Sequence, residues 1–237
     1  MSEHDFDHMR ERVRERYARS GQPPDVVAAL NEHNDRVLDH VEEIAAGEGV
    51  TGTDYELFKT IAILHDVAKA DTPLMLHADA GSADAVALLR EMNKDGDFVA
   101  AVEQGIKCHM GPFPFIDEEA KKYAERTGEH VHLPRPASPV EKLFYDADML
   151  ALMDILGIEK VVVLRSTTPE FIEEDERDAA REGGTPRAAA YRSAMQSVKR
   201  AADTLFSETA RNIAARLMAE AERHITQRLT AEGAGAP

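Results

Sequence analysis

The residues able to do chemistry are mostly histidines and aspartates. The sharpest pair is His65-Asp66, which follows the aliphatic run Ile61-Ala62-Ile63-Leu64. Two ionisable side chains at the end of an apolar helix sit where burial costs most unless each finds a partner. Successive helix residues point ~100° apart, so a tandem histidine and aspartate can grip one ion from two sides. The same pair could instead cap the helix and hydrogen-bond a neighbour. Three more residues lie on or beside apolar faces of separate helical segments: His33 between Leu30 and Val37, His109 in line with Val99, Val102 and Ile106, and Asp148 beside Met149-Leu150. One histidine on such a face is ordinarily a core residue, but positions of this kind on several helices point to a shared ligand. Imidazole with carboxylate suits Mn, Fe, Co, Ni or Zn rather than calcium, and ligands from different helices can converge inside a bundle.

These residues need elements to position them. Pro24 to about Glu48 reads as an amphipathic helix, with Val26, Leu30, Val37, Val41 and Ile44 at three- to four-residue spacing. A second helix starts at the capping-box pattern Thr53-Asp54-Tyr55-Glu56 and runs to about Lys69. It is apolar nearly all round towards its end, which predicts a central place. A loop containing His77 follows Pro73, then helices near Ser82 to Met92, from about Asp97 to Gly111-Pro112, and from Asp117 to Arg126 with a stop at Gly128. Glu129 to Ser138, with Pro134 and Pro136, reads as an ordered loop. Ser138-Pro139-Val140-Glu141 combines a cap, a first-turn proline and a reciprocal glutamate, and begins the helix bearing Asp146 and Asp148.

Val161-Val162-Val163 favours a strand locally, but its flanks are helical and a helix is expected. Thr168-Pro169 opens an acidic helix that ends at Gly183-Gly184. Pro186 to about Thr230 holds a helical pattern interrupted near Ser207, before a frayed tail. The expected class is therefore all-α. The expected organisation is an N-terminal extension over residues 1–23 and one domain over 24–237, with its core at 24–157 and a C-terminal helical extension at 158–230.

Composition narrows the partners. The 237 residues carry 44 acidic and 28 basic side chains, a formal charge of -16, and no Lys/Arg-rich run focuses positive charge. Such a chain repels duplex nucleic acid and anionic membrane surfaces. No apolar run approaches the ~20 residues that span a bilayer, and the opening MSEHDFDHMR is too charged for a signal peptide to be expected. Hydrophobic residues at 43% suffice for a core, and the absence of tryptophan with 5% aromatics suits helix packing. Cys108 stands alone, so no intramolecular disulfide forms and a cytoplasmic setting is expected. Self-association as a homodimer is left open.

The ordered set of histidines and aspartates resembles the HD-domain metal-dependent phosphohydrolase superfamily over roughly Pro24 to Gly157. The matching segments are His33-Asn-Asp-Arg-Val, Ala62-Ile-Leu-His65-Asp66-Val-Ala-Lys69 and Asp146-Ala-Asp148-Met-Leu. The resemblance implies an all-α HD-type bundle with additional C-terminal helices, in which His33, His65, Asp66 and Asp148 bind metal. Many members add two histidines between the tandem pair and the distal aspartate and so hold two ions; His77 and His109 stand in suitable positions. Asp148, directly before Met149-Leu150, is preferred to Asp146 as the distal ligand. One-metal nucleotide hydrolases of the family often carry an acidic residue three or four places after the pair. Lys69 and Ala70 stand there instead, which favours the two-metal branch. His109-Met-Gly-Pro-Phe-Pro lacks the His-His-Glu and Gly-Tyr-Pro signature of the cyclic-dinucleotide branch.

The implied activity is hydrolysis of a phosphate ester or anhydride of a small molecule, nucleotides included, by water activated on one or two divalent transition-metal ions. Asp66 would bridge the ions; His33, His65 and Asp148 would complete one shell; His77 and His109 would hold the other ion. Lys69 is expected either to steady a substrate phosphate or to act as a solvated lysine at the helix end. Alternatives on the same scaffold are a di-iron oxygenase and a ligand sensor that keeps the metal for structure alone. Two divalent ions would make the pocket locally positive, which reconciles an anionic substrate with an acidic chain.

The other histidines take plainer readings. His4 and His8 have metal-pair spacing but lie in a charged stretch and are expected to be solvated. His40 is expected to pack, His130 and His132 either line the substrate mouth or are exposed, and nothing is assigned to His224. Gly47-Glu-Gly49-Val-Thr-Gly52 has the letters of a dinucleotide fingerprint but follows a helix, so it is read as a helix stop and turn. Cys108 and His109, adjacent on a helix, face different ways and make no nucleophile-base pair.

Overall fold

The computed structural model describes residues 1–112, 116–167, 169–182 and 184–231. Eleven helices occur among them, and no strand: α1 (Glu3–Arg19), α2 (Pro24–Glu48), α3 (Gly52–Leu64), α4 (His77–Glu91), α5 (Gly96–Cys108), α6 (Ile116–Thr127), α7 (Pro139–Met153), α8 (Ile155–Thr167), α9 (Pro169–Glu182), α10 (Pro186–Ala202) and α11 (Glu208–Ala231). The all-α expectation holds. The helix start expected at Thr168, the stop at Gly183, the Phe113-Pro114 part of the signature after His109 and the tail from Glu232 lie outside the described residues. The chain divides into two compact units, residues 1–148 and 149–237, with the division inside α7.

In the first unit α3 is the axis. Every side chain from Phe58 to Leu64 is buried, because α1, α2, α4 and α5 all pack on it. Burying an isoleucine or leucine contributes about 1.5–3 kcal/mol, so Ile61, Ile63 and Leu64 hold the centre firmly. Two glycines set how closely the neighbours approach. A Cβ at Gly105 of α5 would stand 2.4 Å from Ile61 Cδ1, and one at Gly81 of α4 would stand 3.1 Å from the His65 carbonyl oxygen. Both helices can therefore close on the end of α3 only because these positions lack a side chain.

Helix α1 occupies the stretch in which the sequence reading placed no element. Ser2 and Asp5 form a capping box, and Phe6, Met9, Val13 and Tyr17 at spacings of three and four supply its buried face. Its salt bridges to other elements include Arg16 with Asp71 and Asp84.

Other boundaries moved for local reasons. Helix α3 starts at Gly52, and Thr51 at its N-cap makes no side-chain capping bond. It ends at Leu64, five residues short of the expected Lys69, because its ladder tightens: His65 N–H still bonds Ile61 at 2.8 Å, but Val67 bonds Leu64, Lys69 bonds Asp66 and Asp71 bonds Ala68. Helix α4 begins at His77 instead of Ser82, so His77 lies on a helix and not in a loop. Gly49 closes α2 in the left-handed conformation at φ 69°, which disposes of the dinucleotide fingerprint in favour of a helix stop. The box at Ser138 and Glu141 forms as read, with Glu141 Oε2 accepting from the backbone of Ala137 and Ser138 and the Ser138 hydroxyl accepting from Glu141 N–H.

In the second unit α8, α9 and α10 pack on one another and α11 packs on α8 and α10. Val161 to Val163 are helical. The helical pattern after Pro186 breaks between Ala202 and Glu208, around Ser207 as expected. None of the described helices is long and apolar enough to cross a membrane.

Candidate metal centre

Four helices and one turn deliver the polar cluster. His33 comes from the middle of α2, His65 and Asp66 from the turn that ends α3, His77 from the first residue of α4, His109 from the C-terminal end of α5 and Asp148 from α7. All six are buried. Asp66 is the centre of the group. Its Oδ2 lies 3.6 Å from His33 Nε2 and 3.3 Å from His65 Nε2, while its Oδ1 lies 3.2 Å from His77 Nε2 and 3.9 Å from His109 Nε2. Asp148 Oδ1 joins the first side, 3.1 Å from His33 Nε2 and 3.7 Å from His65 Nε2. Two groups of potential ligands thus share one carboxylate: His33, His65 and Asp66, and Asp66, His77 and His109.

Hydrogen bonds on the far side of the rings fix which nitrogen faces inward. His65 Nδ1 lies 2.9 Å from the Ala62 carbonyl, His77 Nδ1 2.5 Å from that of Leu74 and His109 Nδ1 2.6 Å from that of Ile106. A carbonyl can only accept, so each Nδ1 carries the proton and each Nε2 turns a lone pair into the cluster. His77 Nε2 and His109 Nε2 then face each other at 3.1 Å, two lone pairs with no proton between them. His65 Nε2, both ring nitrogens of His33 and Asp66 Oδ1 are buried without a hydrogen-bond partner, since the 3.1 Å approach of Asp148 to His33 lacks hydrogen-bond angles. Unpaired buried polar atoms are costly. Inward lone pairs and two carboxylates are a fitting environment for a divalent transition-metal ion.

The charges agree. Burial, reinforced in His109 by the facing His77, holds the His33 imidazolium down to about 4 and that of His109 to about 3, so both are neutral donors near pH 7. Burial also opposes charge on His65, but Asp66 outweighs it and raises its affinity for a proton. Asp66 and Asp148 stay ionised: burial works against them, but His65 and Lys69 beside Asp66, and His33 and His65 beside Asp148, hold both below the usual carboxylate range. Lys69 Nζ is 2.6 Å from Asp66 Oδ2. Burial disfavours its charge, yet Asp66 and Asp148 raise its proton affinity, so it remains a cation.

Of the remaining candidates, Asp146 is buried two residues before Asp148 on α7, and Asp148 is the one set against His33 and His65. His40 is buried in α2, His4 is exposed and His8 half-buried on α1. His130 and His132 are exposed, while Val131 and Leu133 between and after them pack on Met75, Ala78, Met110, Ile116 and Tyr123. His224, given no role, lies 2.7 Å from Glu159 Oε1 in the second unit. Burial, and then Glu141, push the Cys108 thiol up to about 12, so it is no nucleophile.

Sequence reasoning missed three contributors. Phe144 sets its ring 5.3 Å from that of His65 and 6.2 Å from that of His109, and its one-turn offset from Asp148 on α7 was the available signal. Gly81 and Gly105 were passed over because an interior helical glycine carries no chemistry of its own.

The described residues form helices that bring buried His, His-Asp, His, His and Asp positions together in this order, a set that could hold metal. The HD domain family model matches residues 30–153, slightly more than half of the chain, and the chain belongs to that family. HD domains are mostly metal-dependent hydrolases. No curated protein and no solved structure matches it.

Proposed function

We propose that this protein is a phosphohydrolase that uses two divalent transition-metal ions to cleave a phosphate ester or anhydride of a small molecule, nucleotides included. The observation that carries the reading is the division of Asp66, one oxygen toward His33 and His65 and the other toward His77 and His109. His33, His65 and Asp148 would hold one ion and His77 and His109 the second, with Asp66 shared. Ions held there, drawn from Mn, Fe, Co, Ni or Zn, would supply Lewis acidity and lower the pKa of water from ~15.7 to roughly 7.

The chain's own groups do the rest. The backbone carbonyls of Ala62, Leu74 and Ile106 keep three imidazoles aimed inward. Lys69 keeps its positive charge, partly exposed, and has donors beyond the one spent on Asp66 for a substrate phosphate. Burial around the cluster keeps bulk water from weakening these charges. The acidic chain disfavours long polyanions, which suits a small phosphorylated substrate, no nucleic-acid duplex and no membrane. The reading includes a cytoplasmic setting and leaves homodimer formation to a sedimentation measurement.

The test is the metal content of purified protein, followed on the same sample by a phosphate-release screen over nucleotides and sugar phosphates. The expected result is close to two ions per chain and release of phosphate or pyrophosphate. Redox-active iron with an oxygen-dependent product would replace this reading with the oxygenase. Tightly held metal with no turnover on any phosphate ester would replace it with the sensor.

A further inference from the structure

The break in the α3 ladder puts the metal centre on a turn, and that turn is held from outside the family's own segment. Past Leu64 the backbone bonds run three residues back instead of four, which leaves carbonyls of the turn open to other donors. Two are taken by the region before residue 30. The Tyr17 hydroxyl donates to the Asp66 carbonyl oxygen at 2.9 Å, and Gln22 Nε2 donates to that of Ala70 at 2.7 Å. The Asp66 carbonyl also accepts from Lys69 N–H at 2.8 Å, so one bond is local to the turn and the other crosses to α1. Asn34 Nδ2, one residue from His33, lies 3.5 Å from the same hydroxyl.

We propose that Tyr17 is a positioning residue for the metal centre: its hydroxyl ties the backbone of Asp66 to the residue next to His33 and so fixes the shared carboxylate against the first imidazole. The inference rests on the reading of the cluster as a metal site. The ring of Tyr17 is fully buried, and burying the ring alone would be served as well by phenylalanine. A buried hydroxyl is costly unless it is bonded, and here its bond ends on the residue that carries the central ligand. Helix α1 lies outside the matched residues 30–153, so this support belongs to the chain's own N-terminal helix. Groups that orient ligands from behind typically change metal affinity by ~10–100-fold when removed.

The experiment titrates the full-length, metal-free protein with Co(II), reading both affinity and the visible absorption spectrum of the bound ion. Tyr17→Phe, which keeps the ring, is expected to weaken Co(II) binding by at least ~10-fold and to change the spectrum. Gln22→Ala is expected to shift both in the same direction by less, and it serves in place of Tyr17→Phe if that variant fails to fold. Met9→Ala, a cavity eight residues before Tyr17 on the same helix, controls for stability: it should lower the melting temperature and leave affinity and spectrum unchanged. Wild-type affinity and spectrum in Tyr17→Phe would overturn the proposal while leaving the metal site standing. A wild-type protein that takes up no Co(II) would overturn the metal reading and this proposal with it.

Discussion

Two buried clusters of charge, one in each unit, follow opposite rules. In the second unit Arg165 Nε and Nη2 bond Asp175 at 2.6–3.2 Å, Nη2 also bonds Glu174 Oε2 at 2.9 Å, and the guanidinium lies 4.9 Å from the centre of the Phe171 ring. Both carboxylate oxygens of Asp175 and the Nε and Nη2 of Arg165 are hydrogen-bonded, and neither residue contributes a buried atom without a partner. In the first unit the histidines and aspartates converge, yet His33, His65 and Asp66 keep inward atoms without hydrogen bonds, and two Nε2 lone pairs oppose each other. Burial and charge are common to both, so neither marks a site by itself. What separates them is satisfaction: a self-satisfied ionic cluster stabilises a fold, whereas a convergent unsatisfied one leaves room for an ion.

The difference can be broken first at Asp66. Asp66→Ala should abolish phosphate release and lose the bound metal together, measured by elemental analysis and turnover on one preparation. Full activity in that variant would sink the assignment.

The self-satisfied cluster should respond the other way. Asp175→Ala leaves the buried guanidinium with the half-exposed Glu174 as its remaining carboxylate and is expected to cost about 3 kcal/mol in chemical denaturation, with metal content at 25 °C unchanged. Loss of metal with little loss of stability would show that the two clusters had been assigned the wrong roles.

A smaller effect belongs to the approach of α5 to α3. Gly105→Ala sets a methyl group 2.4 Å from Ile61 Cδ1 and should destabilise by about 1–3 kcal/mol. Ile61→Val in the same chain should recover part of that, as read by thermal melts.

The smallest is a pH effect on the metal-free protein. His33 and His109 accept protons in the unfolded chain near 6.5 but in the folded one only near 4 and 3. Their contribution is present above pH 6.5 and is lost as pH falls toward 4 and below. His65, whose affinity is raised, binds its proton in both states below 6.5 and so adds a pH dependence of its own only above that window. Stability should therefore fall on acidification over this window by of order 1 kcal/mol per pH unit for each of the two imidazoles. Denaturation midpoints that stay flat from pH 7 to 4.5 would contradict the burial of these imidazoles as neutral groups.

Much of this was legible in the chain. The spacing of Val37, Val41 and Ile44, the run before His65 and the Ser138-Pro139-Glu141 cap are local signals, and the helices they predict are present. His33, His109 and Asp148 were legible because polar residues on apolar stripes violate the pattern around them, whereas His77 was singled out only by the resemblance to the HD family. Helix α1 was overlooked because its charges dominate its composition, although Phe6, Met9, Val13 and Tyr17 keep helical spacing. The end of α3 was misplaced because a ladder that tightens after Leu64 leaves no mark in residue type.

By itself, then, the sequence determined an all-helical chain, because helical periodicity is a local property, and its resemblance to the HD family singled out the six candidate ligands. Only the tertiary structure decided that Asp66 turns one oxygen to each pair of histidines, that Asp148 is the aspartate set against His33, and that Tyr17 reaches the carbonyl behind Asp66. Those facts depend on how closely helices approach. That distance is set by side chains absent at Gly81 and Gly105, and by bonds between residues 49 positions apart in the chain.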